Sequence, residues 1–497
     1  MLITIGISLY STRLILSNLG ASDYGLYNVV GGVIAMLSFL NAAMTTSTQR
    51  YLSFSMGVGD MAKIKRVLGN SMLIHILLGL LLVVVFEVLG SYFLETKLNI
   101  EPDRLSAAKI IFHFTVISSF VSIVSVPYDA VVNAHENMAF VALINILESV
   151  LKLVVALLLT YVLQDKLVVY GFLTMVSAVL IRIIKQVYCR RKYQECSVHI
   201  LKVYDRTLMK EMGSFASWNL FGVICGLSRS QGVAVVLNLF YSTVVNAAYS
   251  IANQVNNQMS FLSMTMMKTI RPQMMKSEGA GDRQRMLRLS VFAGKFSFYL
   301  NAIVSIPMFI AMPQVLAFWL GQVPEYTISF CRYMLILNLT QQFSMGIMAA
   351  TQAIGNIKRY QLVVGTVQIL TVPISYFALR AGYPAEAVMV STVSLEFVAS
   401  YFRVYYFHAL TAFSISVFLK EIVLTPLIPS SIVFLIARLS YEHITLNSNI
   451  WHLAPFFIVT IFLYVVLIYL AGISVQERTM INNIVRMAFG KVAKIKS

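Results

Sequence analysis

The sequence predicts an all-α, polytopic membrane protein of about 14 transmembrane helices, arranged as two pseudo-symmetric six-helix lobes plus two extra C-terminal helices. Three observations carry this expectation: an apolar composition, a regular succession of span-length apolar runs, and an internal repeat. Of the 497 residues, 58% are hydrophobic and 12% charged, and the mean hydropathy is +0.77. A soluble domain carries about 25% charged residues, and no core can enclose so much apolar surface, so lipid must be the solvent.

The apolar runs, separated by short polar or Gly/Pro breaks, fall at 1–17, 25–48, 71–94, 107–127, 139–162, 167–187, 212–237, 243–266, 290–312, 328–350, 360–380, 384–407, 418–438 and 451–472. The first is short for a span and lacks the basic start and small-residue cleavage site of a signal peptide. It is expected to be the outer part of a truncated helix 1. The longest polar segments, Tyr188–Lys210 and Arg271–Arg288, are expected to be loops.

Charge supports this threading. The formal net charge is +17, which in a soluble chain would point to nucleic acid. Here no nucleic-acid partner is expected, because cytoplasmic loops of membrane proteins collect Lys and Arg. With the C-terminus inside, about 27 basic residues fall on the cytoplasmic side and about 6 outside. The inner set includes Arg50, Lys63, Lys65, Arg66, Arg190, Arg191, Lys192, Arg283, Arg285, Arg288 and the tail Lys491, Lys494 and Lys496. The outer set is Lys97, Arg104, Lys109, Lys166, Arg380 and Arg438. A miscounted helix would scramble this asymmetry from that point on.

The repeat appears at one offset. Ser38-Phe39-Leu40 recurs as Ser260-Phe261-Leu262, Met44 as Met266, and Gly57-Val58-Gly59-Asp60 as Gly279-Ala280-Gly281-Asp282. A shared offset over two helices at equivalent positions indicates duplication. Six helices per half preserve orientation, so the halves should be related by an axis along the membrane normal. The expected organisation is an N-terminal lobe (1–187), a basic cytoplasmic linker (188–211), a C-terminal lobe (212–408), helices 13 and 14 (409–472) and a basic cytoplasmic tail (473–497).

Polar groups at bilayer depth are costly and usually face the protein or a wet cavity. On helix 8, Asn246, Ser250, Asn253, Asn257 and Ser260 form one stripe, with Gln254 beside it. Such a stripe either ties helices together through amide hydrogen bonds or lines a cavity for a hydroxyl-rich substrate. Arg229 lies deep in helix 7, and Arg13 holds nearly the equivalent place in helix 1. An arginine from each half facing a common groove would suit a diphosphate, which guanidinium binds bidentately; Arg13 alternatively snorkels to the outer surface. Glu148 and Lys152 stand at i, i+4 as a self-neutralising pair, whose lysine a substrate anion would compete for. Arg50 ends helix 2, where it satisfies the charge bias or meets an anionic head group. Lys295 and Arg332 are expected to snorkel from helix ends. Glu87 and Glu396 read as isolated membrane carboxylates; with Glu148 they are the ion-coupling candidates.

No catalytic constellation is present: no metal-ligand cluster, no phosphate-cradling Gly-rich loop, no loop large enough for paired carboxylates. Cys189, Cys196, Cys225 and Cys331 lack metal or disulfide-framework spacing. No enzyme activity, metal or cofactor is expected.

The run Asn18 to Gly32 (NLGASDYGLYNVVGG) resembles the helix 1–2 junction of the polysaccharide and oligosaccharide flippases, within the multidrug/oligosaccharidyl-lipid/polysaccharide exporter superfamily. Pro127-Tyr128 followed by His135-Glu136 and Met138, Asn238 with Val245-Asn246 and Ala248, Trp319 to Pro324, and Thr351 to Gly355 continue the likeness over nearly the whole chain. These motifs are structural and say little about substrate. The resemblance implies an alternating-access transporter with a cationic cavity, carrying undecaprenyl-diphosphate-linked oligosaccharide across the inner membrane for surface polysaccharides such as lipopolysaccharide O-antigen. It also implies H+ or Na+ as a coupling ion and contacts with other polysaccharide-assembly proteins. Arg13 and Arg229 match by position and chemistry, not by an aligned motif. The rivals are a drug or metabolite antiporter of the same superfamily, with an acidic centre, and a membrane glycosyltransferase or polymerase, which needs a large outer loop.

Overall fold

A computed structural model describes residues 2–35, 38–96, 100–197, 200–241, 243–444, 450–474 and 477–479. Among them there is no strand, and every expected span falls mainly on helix. The tail lysines Lys491, Lys494 and Lys496, and Lys97 of the expected outer set, lie outside the described residues. Ten described helices are long and apolar enough to cross a membrane. The expected spans 1–17 and 25–48 and those on α8 and α11 are outside that set; α8 and α11 carry rows of Asn, Gln, Ser and Thr.

The first unit comprises residues 1–223 and 275–282. It holds α1 (Leu2–Ala35), α2 (Ser38–Val58), α3 (Met61–Thr96), α4 (Pro102–Ala134), α5 (Met138–Leu158), α6 (Lys166–Lys192) and the first half of α7 (Arg206–Phe240). The expected break between the first two spans is a single-residue kink: Gly20 has φ 78° and ψ 169°, while its neighbours stay helical. Only glycine takes that backbone without strain. Helix α4 packs against α2, α3 and α6, and α1 lies along α5. At one end, Arg104 of α4 clasps Asp23 of α1 (2.9 and 2.5 Å) and Asp165 (2.8 and 3.2 Å). Asp165 also caps α6 through the N–H groups of Leu167 and Val168. Burial alone would raise the Asp165 carboxyl, but Arg104 and those two N–H groups hold it below the usual carboxylate range.

The polar segments expected as loops are largely ordered helix. Tyr188–Lys210 is the end of α6, two 3-10 turns (Gln194–Cys196 and Ile200–Val203) and the start of α7. Buried Glu195 accepts from His135 at 2.5 Å, and Asn70 bonds Val203 O and Asp205 N. Arg271–Arg288 contains only a tight turn, since α8 (Thr243–Gly279) runs on and α9 (Arg283–Ile310) begins at once. Backbone hydrogen bonding carries helices beyond the hydrophobic stretch, so hydropathy marks the span and not the helix.

The end of α8 belongs to the first unit, where it crosses the end of α2 through glycines. A Cβ on Gly57 would stand 2.0 Å from Lys276 O, and one on Gly279 would stand 2.1 Å from Phe54 O. These glycines are equivalent members of the internal repeat. Backbone meets backbone there, which only glycine allows.

The second unit comprises 224–274 and 283–497. It contains most of α8, then α9, α10 (Met312–Leu320), α11 (Thr327–Ile354), α12 (Lys358–Arg380), α13 (Glu386–Thr411), α14 (Ile415–Val417), α15 (Thr425–Ile444) and α16 (Ile450–Leu467), with π-helical turns at Phe418–Leu424 and Ile468–Gly472. Helix α11 packs on α9 and α13, α12 lies along α13, and α15 and α16 rest on α9. The last helices are anchored to α9 by polar contacts: Tyr299 donates to Gly472 O at 2.6 Å, and Lys295 pairs with Glu477 at 2.6 Å. Lys295 is 2% exposed, so it does not snorkel. It lies three turns inside α9, too deep for its stem to reach solvent, and Glu477 neutralises it in place.

Candidate functional site: two intramembrane charge clusters

In the first unit, α4, α5 and α6 line an open cavity of about 370 Å³ with charged groups set among apolar ones. Asp129 comes from α4, Glu148 and Lys152 from α5, and Arg182 and Lys185 from α6. Lys185 bridges both carboxylates, at 2.8 Å from Asp129 and 3.9 Å from Glu148. Glu148 is thus partnered from α6 by Lys185, and Lys152 reaches Thr12 of α1 at 3.5 Å. The buried Nε of Arg182 has no hydrogen-bond partner. Three basic groups against two acidic ones leave one formal positive charge.

Arg13, next to Thr12 on α1, is exposed. Arg50 is 9% exposed, with its guanidinium over Tyr51 (4.6 Å), Phe54 (5.0 Å) and Phe215 (5.6 Å). This packing joins α2 to α7 instead of presenting Arg50 to a head group. Glu87 is not isolated: it pairs with His113 of α4 at 3.0 Å.

In the second unit, Glu396 is also paired. Its carboxylate is fully buried, with Arg229 Nη1 at 2.7 Å on one oxygen and Arg403 Nη1 at 2.5 Å on the other. Arg403 also donates to Ser344 at 3.0 Å. Helix α13 supplies Glu396 and Arg403, whose i, i+7 spacing sets them on one face; α7 supplies Arg229 and α11 supplies Ser344. Arg229 is the outermost member, 14% exposed against 3% for Arg403. Two guanidiniums share one carboxylate, so Arg403 alone can neutralise Glu396 if Arg229 turns to another anion.

The α8 stripe divides. Asn246 and Asn253 are half-buried, while Gln254 and Asn257 are exposed. At its far end, Asn338 of α11 donates to Ser260 at 2.8 Å and to Asn256 at 3.0 Å. Helix gluing explains that end, and an open polar face explains the rest.

Asp129, Arg182, Lys185 and Arg403 escaped the sequence reading. Arg182 and Lys185 stand on α6 shortly before Arg190, Arg191 and Lys192, with no local pattern that sets them apart from that basic end. Arg403 was findable from its seven-residue spacing to Glu396.

A family model described as "Polysaccharide biosynthesis protein" matches residues 2–278, more than half of the chain. The chain belongs to this family. No curated protein sequence matches it. The fold of this polysaccharide biosynthesis family member is that of solved membrane transporters. A MATE transporter in its straight conformation aligns with TM-score 0.69 and 16% identity, covering 83% of this chain and 94% of that one. An outward-facing multidrug resistance MATE family transporter of the MOP superfamily aligns with TM-score 0.70 and 14% identity, covering 83% and 94%. A MOP superfamily transporter from Pyrococcus furiosus, described as having a binding pocket of reversed polarity that suggests a different function, aligns with TM-score 0.66 and 15% identity, covering 82% and 93%. At such identities the likeness is one of fold.

Proposed function

We propose that this chain carries an undecaprenyl-diphosphate-linked oligosaccharide from the inner to the outer leaflet of the inner membrane, for surface polysaccharide assembly, without acting as an enzyme. The observation that carries the reading is the excess guanidinium at Glu396. A diphosphate crossing about 30 Å of hydrocarbon needs cationic partners that are not themselves destabilised while waiting. Arg229 waits on a carboxylate that Arg403 keeps neutralised, so it can exchange that partner for a phosphate oxygen. The charged cavity on α4–α6 also has positive excess, which disfavours the rival antiporter with an acidic centre. Glu148, sharing Lys185 with Asp129, is the carboxylate we assign to coupling with H+ or Na+. The C-terminus lies on the cytoplasmic side in this reading.

Complementation tests it. The chain is expressed in a Gram-negative strain lacking its own surface-polysaccharide flippase, beside Arg229→Ala and Arg229→Lys. The expected outcome is surface glycan restored by the parent chain and reduced at least about tenfold by Arg229→Ala at equal membrane level, as for loss of a charge-assisted contact. Full activity of Arg229→Ala would remove the site and keep the transport. Failure of the parent chain with its cognate glycan, alongside proton-driven extrusion of organic cations, would replace the reading with the antiporter.

A further inference from the structure

A second cavity, unrelated to either charge cluster, opens in the second unit where α9 ends and α11 and α13 begin. It measures about 720 Å³, within the roughly 300–1,000 Å³ of small-molecule sites. Its walls mix aromatic and charged groups: Phe309, Tyr326, Tyr333, Glu325, Glu386 and Arg332. Arg332, expected to snorkel, is half-buried here. Its Nε donates to Phe309 O at 3.1 Å and its guanidinium lies 5.4 Å from the Phe309 ring centroid. Glu386 accepts from Ser329 at 3.3 Å.

The lip of this cavity is strained. Tyr326 sits in the left-handed region, with φ 65° and ψ −11°, directly before α11. A bulky aromatic residue in that region costs of order 1–3 kcal/mol, and such strain clusters at ligand clamps. Glu325, burial and then Glu386 raise the Tyr326 phenol above its ordinary pKa, so it stays a neutral hydroxyl beside two carboxylates.

Sidedness follows from the threading. Helix α11 starts in the cavity and ends at Ile354, next to Lys358 and Arg359 at the start of α12. Helix α9 ends in the cavity and starts with Arg283, Arg285 and Arg288. The cavity therefore lies at the ends remote from the basic clusters, which positive-inside bias assigns to the outer face.

We propose that this cavity is an outer-face binding site for a neutral saccharide. Two carboxylates against one guanidinium in the lining, with the charge of Arg438 also acting on Arg332, give a phosphate no excess of positive charge to bind. An organic cation would meet Arg332, which already lies over the Phe309 face. A ring bearing vicinal hydroxyls fits instead. It donates to Glu325 and Glu386, accepts from Arg332 and stacks its C–H face on Tyr333, so donors and acceptors are both satisfied. The site rests on the flippase reading only for the source of the sugar, the glycan portion of a delivered substrate.

The experiment is saturation-transfer NMR on the purified full chain in nanodiscs, with chitobiose, lactose and maltose as probes, and with inorganic diphosphate and tetraphenylphosphonium as contrasts. At least one disaccharide should receive saturation. Glu386→Gln should weaken it by about tenfold, the scale of one hydrogen bond to a charged group, and Tyr333→Ala should weaken it through loss of the stacking face, while Tyr333→Phe keeps the ring and the binding. A gel-filtration profile matching the parent qualifies each variant. Silence from all three disaccharides, binding untouched by the cavity substitutions, or phosphonium binding that these substitutions abolish would each overturn the site. Because the readout needs no transport, it separates from the complementation result in either direction.

Discussion

At the scale of single residues, the Arg229–Glu396–Arg403 cluster sets one buried carboxylate between two guanidiniums. Removing one partner from a buried ionic group costs about 3–5 kcal/mol, because the remaining charge is left uncompensated. Glu396→Gln confronts two guanidiniums across a neutral amide and should lower the thermal midpoint of the purified protein sharply. Arg229→Gln leaves Arg403 on the carboxylate and should lower it less. Equal losses in a fluorescence-detected melt would show that Arg403 does not hold Glu396 by itself, and with that the exchange argument for Arg229 falls. Arg229 and Glu396 were legible in the sequence as separate intramembrane charges. Their partnership was not, because residues 167 positions apart meet only through the packing of α7 against its neighbours, which no local pattern records. The same holds for Glu87 and His113, and for Lys185, whose partners Asp129 and Glu148 come from other helices.

At the scale of helices, hydropathy located the spans and misplaced their ends. The segment Arg271–Arg288 is polar yet helical almost throughout, because intrahelical hydrogen bonds persist wherever the backbone is unbroken. What interrupts it is the Gly281 turn (φ 79°). In sequence the repeated glycines mark only a duplication; the α2–α8 crossing shows what they allow, backbone meeting backbone. Alanine in a helix interior is ordinarily favoured over glycine by about 1 kcal/mol. At Gly57 or Gly279 its Cβ would strike a carbonyl oxygen that no rotamer change can move, and overpacking costs about 1–3 kcal/mol. Gly57→Ala and Gly279→Ala should therefore each lower the melting temperature. A rise in either would mean that the helices part without penalty.

At the scale of the whole molecule, composition and the Lys/Arg asymmetry were sufficient for the class of fold, since bilayer thickness leaves few alternatives to a helical span. They also predict sidedness, which single-cysteine labelling reads directly. All four native cysteines are buried, so their replacement by serine or alanine gives a quiet background. Tyr383→Cys, at the exposed turn between α12 and α13, should react with an impermeant maleimide on intact cells. Asn356→Cys, at the opposite end of α12, should react only after permeabilisation. The reverse pattern would invert the topology.

The crossing of α2 and α8 has one more implication, for ancestry. Gly57 meets Lys276 and Gly279 meets Phe54, so each position of one pair has its counterpart in the other at the repeat offset, the glycine kept and Phe54 replaced by Lys276. Two identical polypeptides make such an isologous contact across a two-fold axis. Either half of this chain thus bears both complementary surfaces on a single helix end, the glycine and the carbonyl three residues before it.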